Sequence, residues 1–191
     1  MIIKLNPKNI PQVALIHNQE LHGLLSEMGE AFLIRFYKVS LSIPEMFTLV
    51  ALQNNQILGF ASSTLTAKGL YKKIIIKDIL AFNLLFLRNF VTHPQLIPKF
   101  IKIYTYPGFS DNFPELLSIA VVEKYQNRGI GRKLFDAVSQ EFQKRGYKSF
   151  KVSVYEGMPA NDFYLKMGCK LDRSFNFIDE TMNCYLYNIK Q

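Results

Sequence analysis

The sequence predicts an α/β domain of about seven strands, and three observations carry that reading. Period-two and helical spacings of apolar residues take turns along the chain, as interleaved strands and helices require. Residues 115–121 are apolar on both faces, with Leu117, Ile119 and Val121 alternating with Leu116, Ser118 and Ala120. That pattern suits a strand near the centre of a sheet. The same strand runs through a loop with two glycines, Gln126-Asn127-Arg128-Gly129-Ile130-Gly131, directly into a helix.

Taken in order, residues 2–5 read as a short first strand. Asn9 and Pro11 start a helix whose apolar residues Val13, Leu15, Ile16 and Leu21 extend it to about Leu25. A second helix covers 29–41, with Phe32, Leu33, Phe36, Tyr37 and Leu41 inward. Pro44 closes that region. Residues 47–52 and 57–66 form a hairpin about Asn54-Asn55, because asparagine tolerates left-handed backbone angles. His17 and His22 read as surface or boundary histidines, and no third ligand at useful spacing supports a metal site.

Residues 67–112 then separate the third strand from the fourth. A structureless loop of that length is uncommon in a compact domain, and the segment is rich in Ile, Leu and Phe, so two or three helices are expected. Beyond the glycine loop, Ile130, Leu134, Val138 and Phe142 recur four apart and Gly146 stands at the C-cap. Residues 149–155 form a strand, 160–167 a short helix closed by Gly168, and 171–177 with 181–189 a final hairpin. The chain reads as one domain, 1–191.

The net charge is +8 over 191 residues, so the molecule attracts anions. No nucleic-acid reader motif accompanies that charge, and a nucleic-acid partner is not expected. The two cysteines, Cys169 and Cys184, are expected as free thiols in a reducing, cytoplasmic setting. No apolar run approaches the ~20 residues of a bilayer crossing.

The glycine loop is a cradle for a diphosphate. Two glycines permit positive φ and close backbone approach. Free N–H groups at the helix start, with the positive end of the helix dipole, attract a phosphate, and Arg128, Arg132 and Lys133 add charge. A dinucleotide fingerprint would need a third glycine where Leu134 stands. A Walker loop would need Gly-Lys-Ser/Thr, but Arg132-Lys133-Leu134 follows Gly131.

Gln126, Gly129 and Gly131 match the Q/R-x-x-G-x-G/A signature, and the stretch resembles that of the GNAT superfamily of acyl-CoA-dependent N-acyltransferases. A second stretch, 160–168, resembles the family's N-x-x-A-x-x-F-Y-x-x-x-G-F pattern through Ala160, Phe163, Tyr164 and Gly168. Gly157 stands where the family has Asn, and Cys169 where it has Phe. The resemblance implies a mixed, strongly twisted sheet with helices on both faces, the 67–112 segment being an insertion between the third and fourth strands. It implies acetyl-CoA as co-substrate, no metal, and transfer of an acetyl group to a primary amine by direct attack in a ternary complex. Coenzyme contacts are carried over to Ala120, Val121, Gln126, Asn127, Arg128, Gly129, Ile130, Gly131, Arg132 and Tyr164, with Asn161 as a substitute for the missing asparagine.

Such chemistry needs a base, because an alkylammonium has a pKa of ~10.4. It also needs an N–H donor for the developing oxyanion, assigned to Val121, and an acid for the leaving thiolate. Tyr164 matches the family position for that acid. Glu115, counted back from Gln126, matches the base of the histone-acetylating branch; an apolar face shared with Leu117 and Ile119 would raise its pKa. Glu30 is a second candidate. Cys169 has no neighbour in sequence to activate it as a nucleophile. The acceptor is open among small amines, amino sugars and peptide amines, with the basic 67–112 segment favouring an anionic one. A homodimer is left open. A membrane-surface role is disfavoured, because apolar residues of such helices ordinarily form a core of their own. The rival from another class is a non-catalytic acyl-CoA sensor or assembly subunit.

Overall fold

The computed structural model describes residues 1–105, 112–177 and 180–190, with the backbone alone at 102–105. In chain order the elements are β1 (Ile2–Lys4), α1 (Ile10–Glu20), α2 (Leu24–Glu27), α3 (Glu30–Ser40), β2 (Met46–Gln53) and β3 (Gln56–Thr64). Then come α4 (Leu70–Lys77), α5 (Ile79–Thr92), α6 (Leu96–Thr105), β4 (Glu115–Val121), α7 (Ile130–Lys144), β5 (Ser149–Tyr155), α8 (Ala160–Lys166), β6 (Lys170–Phe177) and β7 (Glu180–Asn188). The seven strands make one mixed sheet in the order β1-β2-β3-β4-β5-β7-β6, and only β4 and β5 pair in parallel.

Strand alternation divides the interior into two cores. Met46, Val50, Ile57, Phe60 and Ala120 face one side, where α1, α3 and the three helices α4–α6 cover them. Phe47, Leu49, Ala61, Leu116, Phe150 and Tyr187 face the other, against Leu134, Phe135, Val138 and Phe142 of α7 and Tyr164 of α8. The hairpin between β2 and β3 turns on Asn54 and Asn55 at φ 49° and 60°, as expected. Gly146 at φ +85° ends α7, with Tyr147 N–H donating back to the Phe142 carbonyl.

Besides Leu41, which was expected inward but is 43% exposed at the C-cap of α3, three expectations change. The first helix stops at Glu20 because Leu21 is extended and Gly23 has φ +123°; the chain restarts as the short α2. His17 is not at the surface: its ring is buried, 2.7 Å from the Tyr37 hydroxyl and stacked on Phe60 at 5.8 Å. The third change is a β-bulge in β4. Ser62 pairs with Ser118 but Ser63 pairs with Leu116, so Leu117 is the extra residue. The bulge shifts the alternation: Leu117 and Ala120 reach the first core, Leu116, Ile119 and Val121 the second. Glu115 therefore shares a face with Leu117 but not with Ile119.

Candidate active site

β4 and β5 pair only at Glu115–Lys151 and Leu116–Val152, then separate. The gap this opens is lined by backbone. Val122 N–H donates to the Leu58 carbonyl at 3.0 Å, which makes Gly59–Val121 a non-hydrogen-bonded pair of the β3–β4 ladder. The polar groups of Val121, and by the same alternation those of Ile119, point away from β3 into the gap. Ala120 falls on the opposite phase, pairs with Phe60 and has its side chain in the first core. Its expected coenzyme contact is not supported, since neither its backbone nor its side chain faces the gap.

The glycine loop stands at the end of this gap. Asn127 and Gly129 take left-handed angles, φ 58° and 77°, and Gly129 is the N-cap of α7 with no side chain capping the helix. The first-turn amides of Ile130, Gly131 and Arg132 are thus presented without a capping side chain, and around Gly129 no atom lies within 4 Å of where a Cβ would stand. Here the residues fit an anionic diphosphate. Arg128 and Lys124 flank the Tyr125 ring, at 5.7 Å and 4.9 Å from its centroid. The side-chain amide of Gln126 donates to the Val121 carbonyl at 2.9 Å and ties the loop to the end of β4. Glu20 of α1 accepts from the Glu123 N–H at 3.0 Å and holds the same loop from beneath. Nothing in the sequence pattern marked Glu20, because that contact spans 103 residues of chain.

α8 is positioned by Asn161. Its side-chain nitrogen donates to the carbonyls of Tyr155, Glu156 and Met158 at 2.7–2.9 Å. Its oxygen accepts from Asn183 at 3.1 Å and from the Tyr185 hydroxyl at 2.8 Å. An amide side chain has two donors and two lone pairs, and all are engaged within the protein. Asn161 is a structural tie, and the coenzyme contact expected of it does not fit. Tyr164 on the next turn is buried against Phe135, Phe163 and Tyr185. Burial, then the neighbouring Cys169, pushes the Tyr164 phenol above its ordinary range, so it stays protonated at neutral pH. Both cysteines are free and buried, and burial pushes Cys169 up to about 12, which removes it as a nucleophile.

Glu115 is buried, but its setting is polar. The Lys151 ammonium lies 3.5 Å from one carboxylate oxygen and the Ser153 hydroxyl 3.4 Å from the other. Cys184 stands opposite Ser153 in register, and Tyr71 of α4 is close enough that the Glu115 charge adds to the burial raising its phenol. The expected apolar surroundings are replaced by an ion pair, because β5 turns Lys151 and Ser153 to the face opposite Phe150 and Val152. A lysine alternating with apolar strand residues was visible in sequence; that it meets Glu115 depends on the parallel register. Glu30, the second base candidate, is exposed at the start of α3. Among the described residues no three His, Cys, Asp or Glu side chains group as metal ligands.

Fold and gap together define an acyl-CoA-type transferase architecture. The family model of the acetyltransferase (GNAT) family matches residues 18–169, and the chain belongs to that family. Solved structures agree in fold. A protein of Desulfovibrio desulfuricans assigned to the GNAT family superposes with TM-score 0.66 at 13% identity, over 100% of this chain and 99% of that one. The ribosomal-protein-S18-alanine N-acetyltransferase of Escherichia coli gives 0.61 at 15% identity, over 100% and 94%. The PaiA N-acetyltransferase of Thermoplasma acidophilum, solved with coenzyme A, gives 0.61 at 14% identity, over 98% of each chain. A search of curated protein sequences finds no match.

Proposed function

We propose that this protein transfers an acetyl group from acetyl-CoA to a primary amine, by direct attack while both substrates are bound. The observation that carries the reading is the continuity of the β4–β5 gap with the uncapped amides of α7. One end is built for a diphosphate and at the other the backbone of Val121 and Ile119 points away from β3, as pairing with an extended pantetheine arm requires. The amides of Gly129, Ile130, Gly131 and Arg132 hold the pyrophosphate, with Arg128 beside them, and Val121 pairs with the arm.

Distance along β4 decides how the reacting end is arranged. Glu115 and Val121 are six residues apart, about 20 Å in an extended strand. A thioester oxygen on the Val121 N–H would lie beyond the reach of a base at Glu115. The Ile119 N–H faces the same gap about 13 Å from Glu115. We assign the oxygen to Ile119, with Glu115 drawing the amine proton through a water rather than directly. Tyr164 returns a proton to the leaving thiolate. The Lys151 ammonium, 3.5 Å from the carboxylate, holds Glu115 in place beside the gap.

The acceptor enters on the Glu115 face, roofed by α4. Lys72 on that helix is exposed, while Lys73 and Lys77 are held by Glu45 and the Ser42 carbonyl. An acceptor carrying a carboxylate or phosphate would be drawn to this rim. The test is release of free coenzyme A thiol from acetyl-CoA across a panel of small amines, amino sugars and peptide amines. Turnover with any of them, absent in Gly131→Asp, supports the reading; acetyl-CoA binding without turnover on the whole panel returns the protein to a sensing role.

A further inference from the structure

Helix α5 is apolar on two opposite faces. Phe82, Leu85, Phe86 and Phe90 point inward, with Phe82 fully buried against Phe32 at 5.3 Å between ring centroids. On the other side, Leu80, Leu84, Leu87 and Val91 are 79%, 69%, 64% and 73% exposed. Their spacing of four, three and four places all of them within about 60° of the helix circumference, along about 16 Å of its length. Ile76 of α4, one residue pair before the helix begins, is also exposed. Single exposed leucines need no explanation, but four in one helical line form a surface. The inner residues of the segment join the first core, but this outer stripe stays outside it, so the expectation that the segment's apolar residues would cover one another fails on this face.

Charge identifies what covers the stripe. Residues 67–105 hold Lys68, Lys72, Lys73, Lys77, Arg88, Lys99 and Lys102 against the single acid Asp78; Asp78 is ion-paired with Arg35 of α3, Lys73 with Glu45 and Lys99 with Glu27, while Lys72 and Arg88 are exposed. The segment therefore carries most of the chain's charge of +8. Arg88 stands one turn from both Leu84 and Val91, and Lys72 stands one turn from Ile76. A second copy of the chain would bring the same cations face to face. Its footprint on a single helix stripe would also fall well below the ~800 Å² per partner of a stable interface. Lipid presents the complement, acyl chains for the stripe and anionic headgroups for its rim. No described helix is long and apolar enough to cross a membrane, so contact would be in the plane of the surface.

We propose that the outer face of α5, with the cations of α4 beside it, docks this protein on an anionic lipid surface. The docking does not depend on the acyl transfer.

The test is flotation of the full chain with vesicles of phosphatidylcholine containing about one third phosphatidylglycerol, beside vesicles of phosphatidylcholine alone. Co-flotation with the anionic vesicles is expected, at least about tenfold weaker with the neutral ones. Leu84→Glu combined with Leu87→Glu should abolish it, and Lys72→Glu with Arg88→Glu should weaken it about tenfold. Both variants lie on solvent-facing positions, and an unchanged melting temperature confirms that each is folded. Equal binding to both vesicle types, no binding to either, or full binding by the leucine variant overturns the proposal. A concentration-dependent dimer dispersed by the leucine variant, with no vesicle binding, assigns the stripe to a second copy instead.

Discussion

Two buried residues make the residue-scale predictions sharp. Tyr164→Phe keeps the packing among Phe135, Phe163 and Tyr185 and removes only the hydroxyl. Turnover should fall about 100-fold or more while acetyl-CoA affinity stays within about twofold, because the lost proton donor acts only in the transition state. Glu115→Gln should slow turnover by ~10²–10⁴ and flatten the acidic limb of the pH–rate profile, measured below the variant's melting temperature since Lys151 loses its counter-charge. Wild-type rates in Glu115→Gln would move the base elsewhere. His17 makes a separate statement about stability. Burial lowers its pKa from 6.5 to about 4, so the fold holds the neutral ring. That preference is fully present above about pH 6.5 and is lost as pH falls towards 4, about 3 kcal/mol in all. Urea titrations should show wild type losing its advantage over His17→Gln across that window; a constant difference would mean the ring titrates normally. Neither the burial of His17 nor the ion pair at Glu115 was legible beforehand, because a histidine in a helix and a glutamate at a strand start look alike whether covered or not.

At the scale of elements, the strand-loop-helix unit was readable because its signals are local: two glycines, a four-residue apolar repeat and an alternating strand lie within one stretch of chain. The β4 bulge was not, since alternation in β4 looks continuous and only the register against β3 exposes Leu117 as the extra residue. The same limit applied to Ala120 and Asn161, whose polar groups are committed to Phe60 and to the turn before α8. For the cradle, Gly131→Asp is the cleaner probe. A Cβ there meets Phe163 at 3.4 Å, ordinary contact, and a carboxylate in the first turn suits the α7 dipole, so folding should be unharmed. The same charge faces the pyrophosphate, and acetyl-CoA affinity should drop at least about 30-fold by calorimetry, roughly 2 kcal/mol. Gly129→Ala carries its own backbone cost of about 1–2 kcal/mol from φ +77°, so its effect on affinity must be read beside its melting temperature. Unchanged affinity in Gly131→Asp would detach the loop from coenzyme binding.

For the whole molecule, the sheet separates two cores with different tasks. Packing around α7 and α8 sets the cradle and Tyr164, whereas α1, α3 and the helices α4–α6 build the side on which Glu115 lies. That residues 67–105 are largely helical was legible from composition, but their attachment was not: Leu70, Ile74, Phe82 and Leu96 are buried in the same cluster as Phe32, Phe36 and Tyr37. Ion pairs from Asp78 to Arg35, Lys73 to Glu45 and Lys99 to Glu27 fasten the same helices at their edges. Such partly or fully exposed pairs contribute little individually, so the apolar contact decides. Burying a large side chain is worth about 1.5–3 kcal/mol, and four of them approach the whole stability of a domain, about 5–15 kcal/mol. Replacing the segment by a short turn would therefore strip a wall from the first core rather than trim a loop, and loss of activity in that truncation would say nothing about the acceptor. Phe82→Ala asks the question without removing the chain. If α5 is an integral wall, this one substitution should cost about 3–5 kcal/mol in urea unfolding, with a single cooperative transition followed by both fluorescence and circular dichroism. A loss below about 1 kcal/mol, or an early separate transition, would show instead that α4–α6 rest on a domain stable without them.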